Sequence, residues 1–175
     1  MSVLELQYWP AEVLRTPAKP VTEFDDELRT LLVDMAEIMY LERGIGLAAP
    51  QVAISKRILV MDVPSEESED CNLVSLINPE IVASEGEIWW DEGCLSFPGV
   101  NVEVKRHERI QVRYQDQDGA WQEMDASGLT SICLQHELDH LNGVTFVDYL
   151  SPLKRKLILR DLKKTLAELG VNPSA

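Results

Sequence analysis

The stretch Ser131-Ile132-Cys133-Leu134-Gln135-His136-Glu137-Leu138-Asp139-His140-Leu141 constrains this chain more than any other. Leu129, Ile132, Cys133 and Leu141 recur together with His136 and His140 at helical spacing, so the periodicity predicts a helix whose inward face carries both histidines. In such a helix the two imidazoles lie one turn apart on one face, where both can reach a single metal ion. Glu137 then stands beside them, as a base acting on metal-activated water would. Gln135 and Asp139 fall on another side, and Gly143 supplies the stop signal. The plain alternative is a buried helix with two core histidines. The chain has only three histidines, and two of them in this pattern favour the metal.

A chain of 175 residues fits one domain, 1–175, that can bury a core without staples. No apolar run approaches the roughly 20 residues that cross a bilayer, which excludes a spanning helix. Met1-Ser2-Val3-Leu4-Glu5-Leu6 lacks the basic start and apolar core of a secretory signal, so a cytoplasmic location is expected. Three cysteines do not suggest a disulfide framework. The net charge of −14 disfavours DNA and anionic membranes as partners. That charge is uneven: residues 151–175 hold six basic and two acidic side chains, a +4 tail on a body of −18.

Three prolines between Tyr8 and Val21 predict an extended leading segment. Asp25, Asp26 and Glu27 suit the start of a helix lined by Leu28, Leu31, Leu32, Met35, Ile38 and Met39 and ended by Gly44. Strands are expected at 57–63, then at 73–77 and 79–83 with an interruption at Asn78-Pro79, and again through Ile88-Trp89-Trp90 and 100–104. Residues 109–114 and 120–124 read as a hairpin around Asp118-Gly119, and 144–150 as a short extended piece. Ser151-Pro152 starts a last helix that turns Leu159, Leu162, Leu166 and Leu169 to one side and its cations to the other. The fold class expected is α+β: a single domain of mixed or antiparallel strands around a central His-Glu-x-x-His helix, with one helix near each terminus.

Two histidines do not complete a catalytic metal site, which commonly takes three protein ligands. No histidine follows His140, and the later acids lack a pattern. Cys94, after Gly93 and before a proline-glycine turn, is a chemically good third donor, though a lone cysteine is more often a small core residue.

Three stretches together resemble the bacterial peptide deformylases: Gly44-Ile45-Gly46-Leu47-Ala48-Ala49-Pro50-Gln51, Glu92-Gly93-Cys94-Leu95-Ser96 and Gln135-His136-Glu137-Leu138-Asp139-His140. Their order and spacing are family-like, and the likeness extends from the helix before the first stretch to Asp148-Tyr149-Leu150-Ser151-Pro152-Leu153. The resemblance implies a hydrolase that takes the formyl group from the N-terminal formylmethionine of new polypeptides and releases formate. It implies metal ligands Cys94, His136 and His140 around one divalent ion, usually Fe2+, with Ni2+, Co2+ or Zn2+ as substitutes. Hydroxide formed at the metal would attack the formyl carbon, with Glu137 as general acid and base. The Gln51 amide and the Leu95 N–H would stabilise the oxyanion. The peptide would pair as a strand with backbone near Ile45, Gly46 and Gly93, and its methionine would enter a pocket of Ile45, Trp90, Leu129, Ile132 and Cys133. Glu42, Glu92 and Arg106 would give ionic support. Two positions depart from the family pattern: Asn101 stands where many relatives have arginine, and Trp90 is bulkier than the usual aliphatic residue. The basic last helix would dock at the ribosome, and a monomer is expected. Two rivals are a peptidase that cuts internal bonds, which lacks its downstream ligand here, and a binding module with a structural metal, which would leave Glu137 without a task.

Overall fold

The structure, a computed structural model, describes residues 4–172, so the first three residues of the amino-terminal stretch and the last three of the basic tail lie outside it. Helix α1 (Asp26–Leu41) starts as its sequence requires: the Asp25 carboxylate accepts from the Leu28 N–H at 3.0 Å, and Asp26 and Glu27 complement the positive end. Leu28, Leu32, Met35 and Met39 form its buried face. The helix stops at Leu41, short of Gly44, whose N–H closes the turn on the Met39 carbonyl. The leading segment is less regular than an extended strap, because Glu12–Arg15 winds into a 3-10 turn that buries Leu14.

Among the described residues seven strands follow: β1 (Gly46–Ala48), β2 (Ile58–Met61), β3 (Val74–Glu85), β4 (Ile88–Gly93), β5 (Asn101–Arg106), β6 (Arg109–Gln115) and β7 (Trp121–Ser127). Five form a sheet in the order β1-β2-β3-β6-β7, while β4 and β5 pair as a separate ribbon. All these ladders are antiparallel. One parallel contact, an isolated bridge between Lys19 and Lys56, ties the leading segment to the sheet.

Two sequence expectations are corrected here. The segments at 73–77 and 79–83 are one strand, because Asn78-Pro79 makes a bulge rather than a break. Asn78 adopts a positive φ of 51°, and its side chain pairs with both backbone groups of Val21, so the missing Pro79 donor disrupts no longer stretch of ladder. Residues 144–150 are not extended, since Phe146–Tyr149 form a 3-10 turn that drives Phe146 and Val147 into the core.

Helix α2 (Gly128–Leu141) carries His-Glu-x-x-His and packs Leu134, Leu138 and Leu141 against Leu59, Leu76 and Val112 of the sheet. Helix α1 covers the other face, where Ile58, Val60 and Ile77 meet Leu32, Met35 and Met39. Strand β2 is thus buried on both sides, and alternate residues serve the two helices. Each fully buried Leu or Ile contributes about 1.5–3 kcal/mol over an exposed one. A third cluster joins the ribbon to helix α3 (Pro152–Glu168) through Phe97, Val102, Val104, Phe146, Leu162 and Leu166. Leu169, expected on that apolar side, is exposed beyond the helix end.

Candidate active site

Helix α2 approaches the ribbon and β1 where their small residues leave room. The Cys94 Sγ and one ring nitrogen each of His136 and His140 lie within 4.8 Å of one another, and Sγ stands 3.3 Å from His140 Nε2. His136 Nδ1 is engaged by the Glu92 carboxylate at 2.8 Å, which leaves Nε2 as its donor atom. Among the described residues, His140 Nδ1 and Glu137 Oε2 are buried without a hydrogen-bond partner. Three soft or borderline donors, with a buried carboxylate close by, fit a divalent ion that keeps one position for water.

Electrostatics separates these groups. Burial pushes the Glu137 carboxyl from its ordinary 4.5 up to about 7, where it can both take and return a proton near neutrality. The two imidazoles shift in opposite directions. Burial holds His140 well below the usual histidine range, whereas for His136 burial is outweighed by Cys94 and Glu92, which favour its charged form. Burial also opposes ionisation of Glu92, but Arg106 and His136 hold its carboxyl below the ordinary value.

A cavity of about 390 Å³ opens over these groups. Of the residues expected at the site, Glu137, Gln51, Leu95, Cys94 and His136 all line it, and so do the backbone positions Ile45, Gly46 and Gly93. The expected pocket residues Trp90, Leu129, Ile132 and Cys133 form part of the same wall. His140 alone stands behind the lining, in contact with Cys94. The Gln51 side chain is buried and oriented at both ends: its Oε1 accepts from the Ala48 N–H, and its Nε2 donates to Ser96 Oγ at 3.2 Å and lies 3.7 Å from Cys94 Sγ. Asn101 lines the cavity too, tied to Asp91 at 2.9 Å, and Trp90 is partly exposed at its wall.

The ionic support differs from the expected trio. Arg106 holds Glu92 with two bonds of 2.7 and 2.8 Å, but its third partner is Asp139 at 2.6 Å, while Glu42 is an exposed residue at the end of α1. Sequence reasoning missed Asp139, and Tyr149 beside it, because their partner Arg106 lies on β5, remote from both in the chain. It also missed Ser96 as the partner of Gln51. The available signal was an acidic residue kept within a helix that is otherwise buried nearly all round.

A site of this kind defines a metal-dependent hydrolase. Over residues 3–156 the chain matches the family model described as polypeptide deformylase. It is 50% identical over 164 residues to the peptide deformylase of Acidobacterium capsulatum, covering 94% of this chain and 96% of that one. Among solved structures, a peptide deformylase from Legionella pneumophila superposes with a TM-score of 0.89 at 45% identity, covering 98% of this chain and all of the other. One from Ehrlichia chaffeensis, solved in complex with actinonin, gives 0.88 at 42% identity over 94% and 98% of the two chains. The chain belongs to the polypeptide deformylase family.

Proposed function

We propose that the chain hydrolyses the formyl amide at the N-terminal formylmethionine of newly made polypeptides and releases formate. The observation that carries this reading is the approach of Cys94, His136 and His140 to one another beside a buried Glu137 whose pKa lies near 7. Cys94, His136 and His140 would hold one divalent ion, Fe2+ in the cell, with Ni2+, Co2+ or Zn2+ able to substitute. Such an ion would supply Lewis acidity, lowering the pKa of a water and polarising the formyl oxygen. Glu137 takes the proton of the attacking water and returns it to the leaving nitrogen. The Gln51 Nε2 and the Leu95 N–H donate to the developing oxyanion: the Ala48 N–H holds the Gln51 amide at Oε1, and one Nε2 hydrogen exchanges its long contact with Cys94 Sγ for the oxyanion.

Among the described residues strand β1 is the outer strand of its sheet, so its edge can accept an extended peptide. The substrate backbone pairs there with Ile45 and Gly46 and, across the cleft, with Gly93. The methionine side chain enters the wall made by Ile45, Trp90, Leu129, Ile132 and Cys133. The chain works as one catalytic domain, a cytoplasmic monomer. The exposed cations of α3, Lys154, Lys156, Arg160, Lys163 and Lys164, would meet ribosomal RNA.

Peptides of one sequence that carry a formyl, an acetyl or no group on the first methionine test this reading when offered to the nickel-loaded protein. Formate from the formylated peptide, with no cleavage of internal bonds in any of the three, is expected. Cleavage within the peptide would replace the reading with a peptidase.

A further inference from the structure

Asp139 has no part in the chemistry above. It precedes His140 on α2 but lines a second cleft, of about 840 Å³, together with Arg106 and Tyr149. Its Oδ2 accepts from Arg106 Nη1 at 2.6 Å and from the Tyr149 hydroxyl at 2.8 Å. The Tyr149 ring covers the same guanidinium, with Arg106 Cζ 5.2 Å from the ring centroid. Arg106 then grips Glu92 with two bonds, and Glu92 Oε1 meets His136 Nδ1 at 2.8 Å. Tyr149 and Asp139 are therefore the solvent-facing end of a continuous chain of bonds that ends on a ring in the donor cluster.

We propose that Asp139 and Tyr149 are positioning residues for His136, acting through Arg106 and Glu92. The inference rests on His136 being a metal ligand. A guanidinium is a planar fork, and its plane decides where both Glu92 oxygens point. Asp139 fixes the third corner of that fork, and the Tyr149 ring blocks one of its faces. Charge acts in the same direction. With Glu92 alone, the Arg106 cation would neutralise the carboxylate that His136 needs as an acceptor. Asp139 draws part of that positive charge away, so Glu92 remains a strong acceptor and the imidazole a better donor to metal. His140 has no corresponding partner on Nδ1 among the described residues, so this support reaches one imidazole only.

The test uses the full chain loaded with cobalt, whose absorption bands report ligand geometry, and follows cobalt loss to excess chelator. Tyr149→Phe, which removes one hydroxyl and keeps the ring, should release cobalt roughly 3–10-fold faster. Asp139→Asn should release it about 10–100-fold faster, and both should shift the visible bands while the melting temperature stays within a few degrees. Glu87→Gln removes another carboxylate of the same cleft, one paired with Lys105, and should match wild type. Wild-type release rates and bands in Tyr149→Phe and Asp139→Asn would overturn the proposal. If Asp139→Asn does not fold, Tyr149→Phe decides alone. A wild-type protein with no thiolate-to-cobalt band would instead remove the ligand reading, and this inference with it.

Discussion

Gly46 and Glu137 lie so close that a Cβ on the glycine would stand 2.8 Å from Glu137 Oε1, and 2.7 Å from Cys133 Sγ. The backbone of β1 thus passes over α2 at the proposed acid-base group. Gly46→Ala should lower kcat/KM by at least about 100-fold and cost about 1–3 kcal/mol of stability, because a buried neighbour has to shift. Steady-state kinetics beside a denaturant melt would check both, and unchanged kinetics would show that the contact can relax.

The raised pKa of Glu137 has a thermodynamic signature. Unfolded, the group ionises near its ordinary 4.5; folded, near 7. Between those values the unfolded chain loses its proton first, so the stability gained from holding Glu137 neutral is full below pH 4.5 and gone above about 7. The loss is about 3 kcal/mol, and Glu137→Gln does not suffer it. The stability of the metal-free variant relative to metal-free wild type should therefore rise across this window and level off above it. Urea titrations at several pH values would show this, and a difference constant with pH would contradict it.

Gln51 holds its amide at the Cys94 side of the cavity through bonds at both ends of the side chain. Gln51→Leu removes the proposed oxyanion donor while leaving Cys94, His136 and His140 in place. A fall in kcat of about 10²–10³ with metal content unchanged is expected. Loss of metal in parallel with activity would assign Gln51 a structural part instead.

Cys94 is a partly exposed thiol at the cavity wall. With ferrous iron beside it, air should inactivate the protein and add oxygen to Cys94, whereas the nickel-loaded form should survive the same exposure. Activity against time in air, with mass spectrometry of the Cys94 peptide, separates the two forms.

Much of this architecture was readable from local pattern. The stripe through Leu129, Ile132 and the two histidines predicted α2, and Asp25 with Ser151-Pro152 marked two helix starts that the structure keeps. Asn78-Pro79 misled because a proline in a strand reads as an end unless the preceding residue finds partners elsewhere, and Val21 lies 57 residues away. Phe146–Tyr149 looked extended since four residues are too few for a helical period to emerge. At the site, Glu92 and Arg106 follow from the family resemblance but Asp139 does not. Its bond to Arg106 is a tertiary contact that helical periodicity cannot express, and the family resemblance points to Glu42 instead.

The most direct test of the central claim is formate release from a formylmethionyl peptide by nickel-loaded wild type and Glu137→Gln, assayed without oxygen and with nickel content measured in both. Release by wild type, and at least about 100-fold less by a variant that still binds nickel, is the predicted result. Equal release by the two proteins would contradict the assignment of Glu137 and of the chemistry built around it.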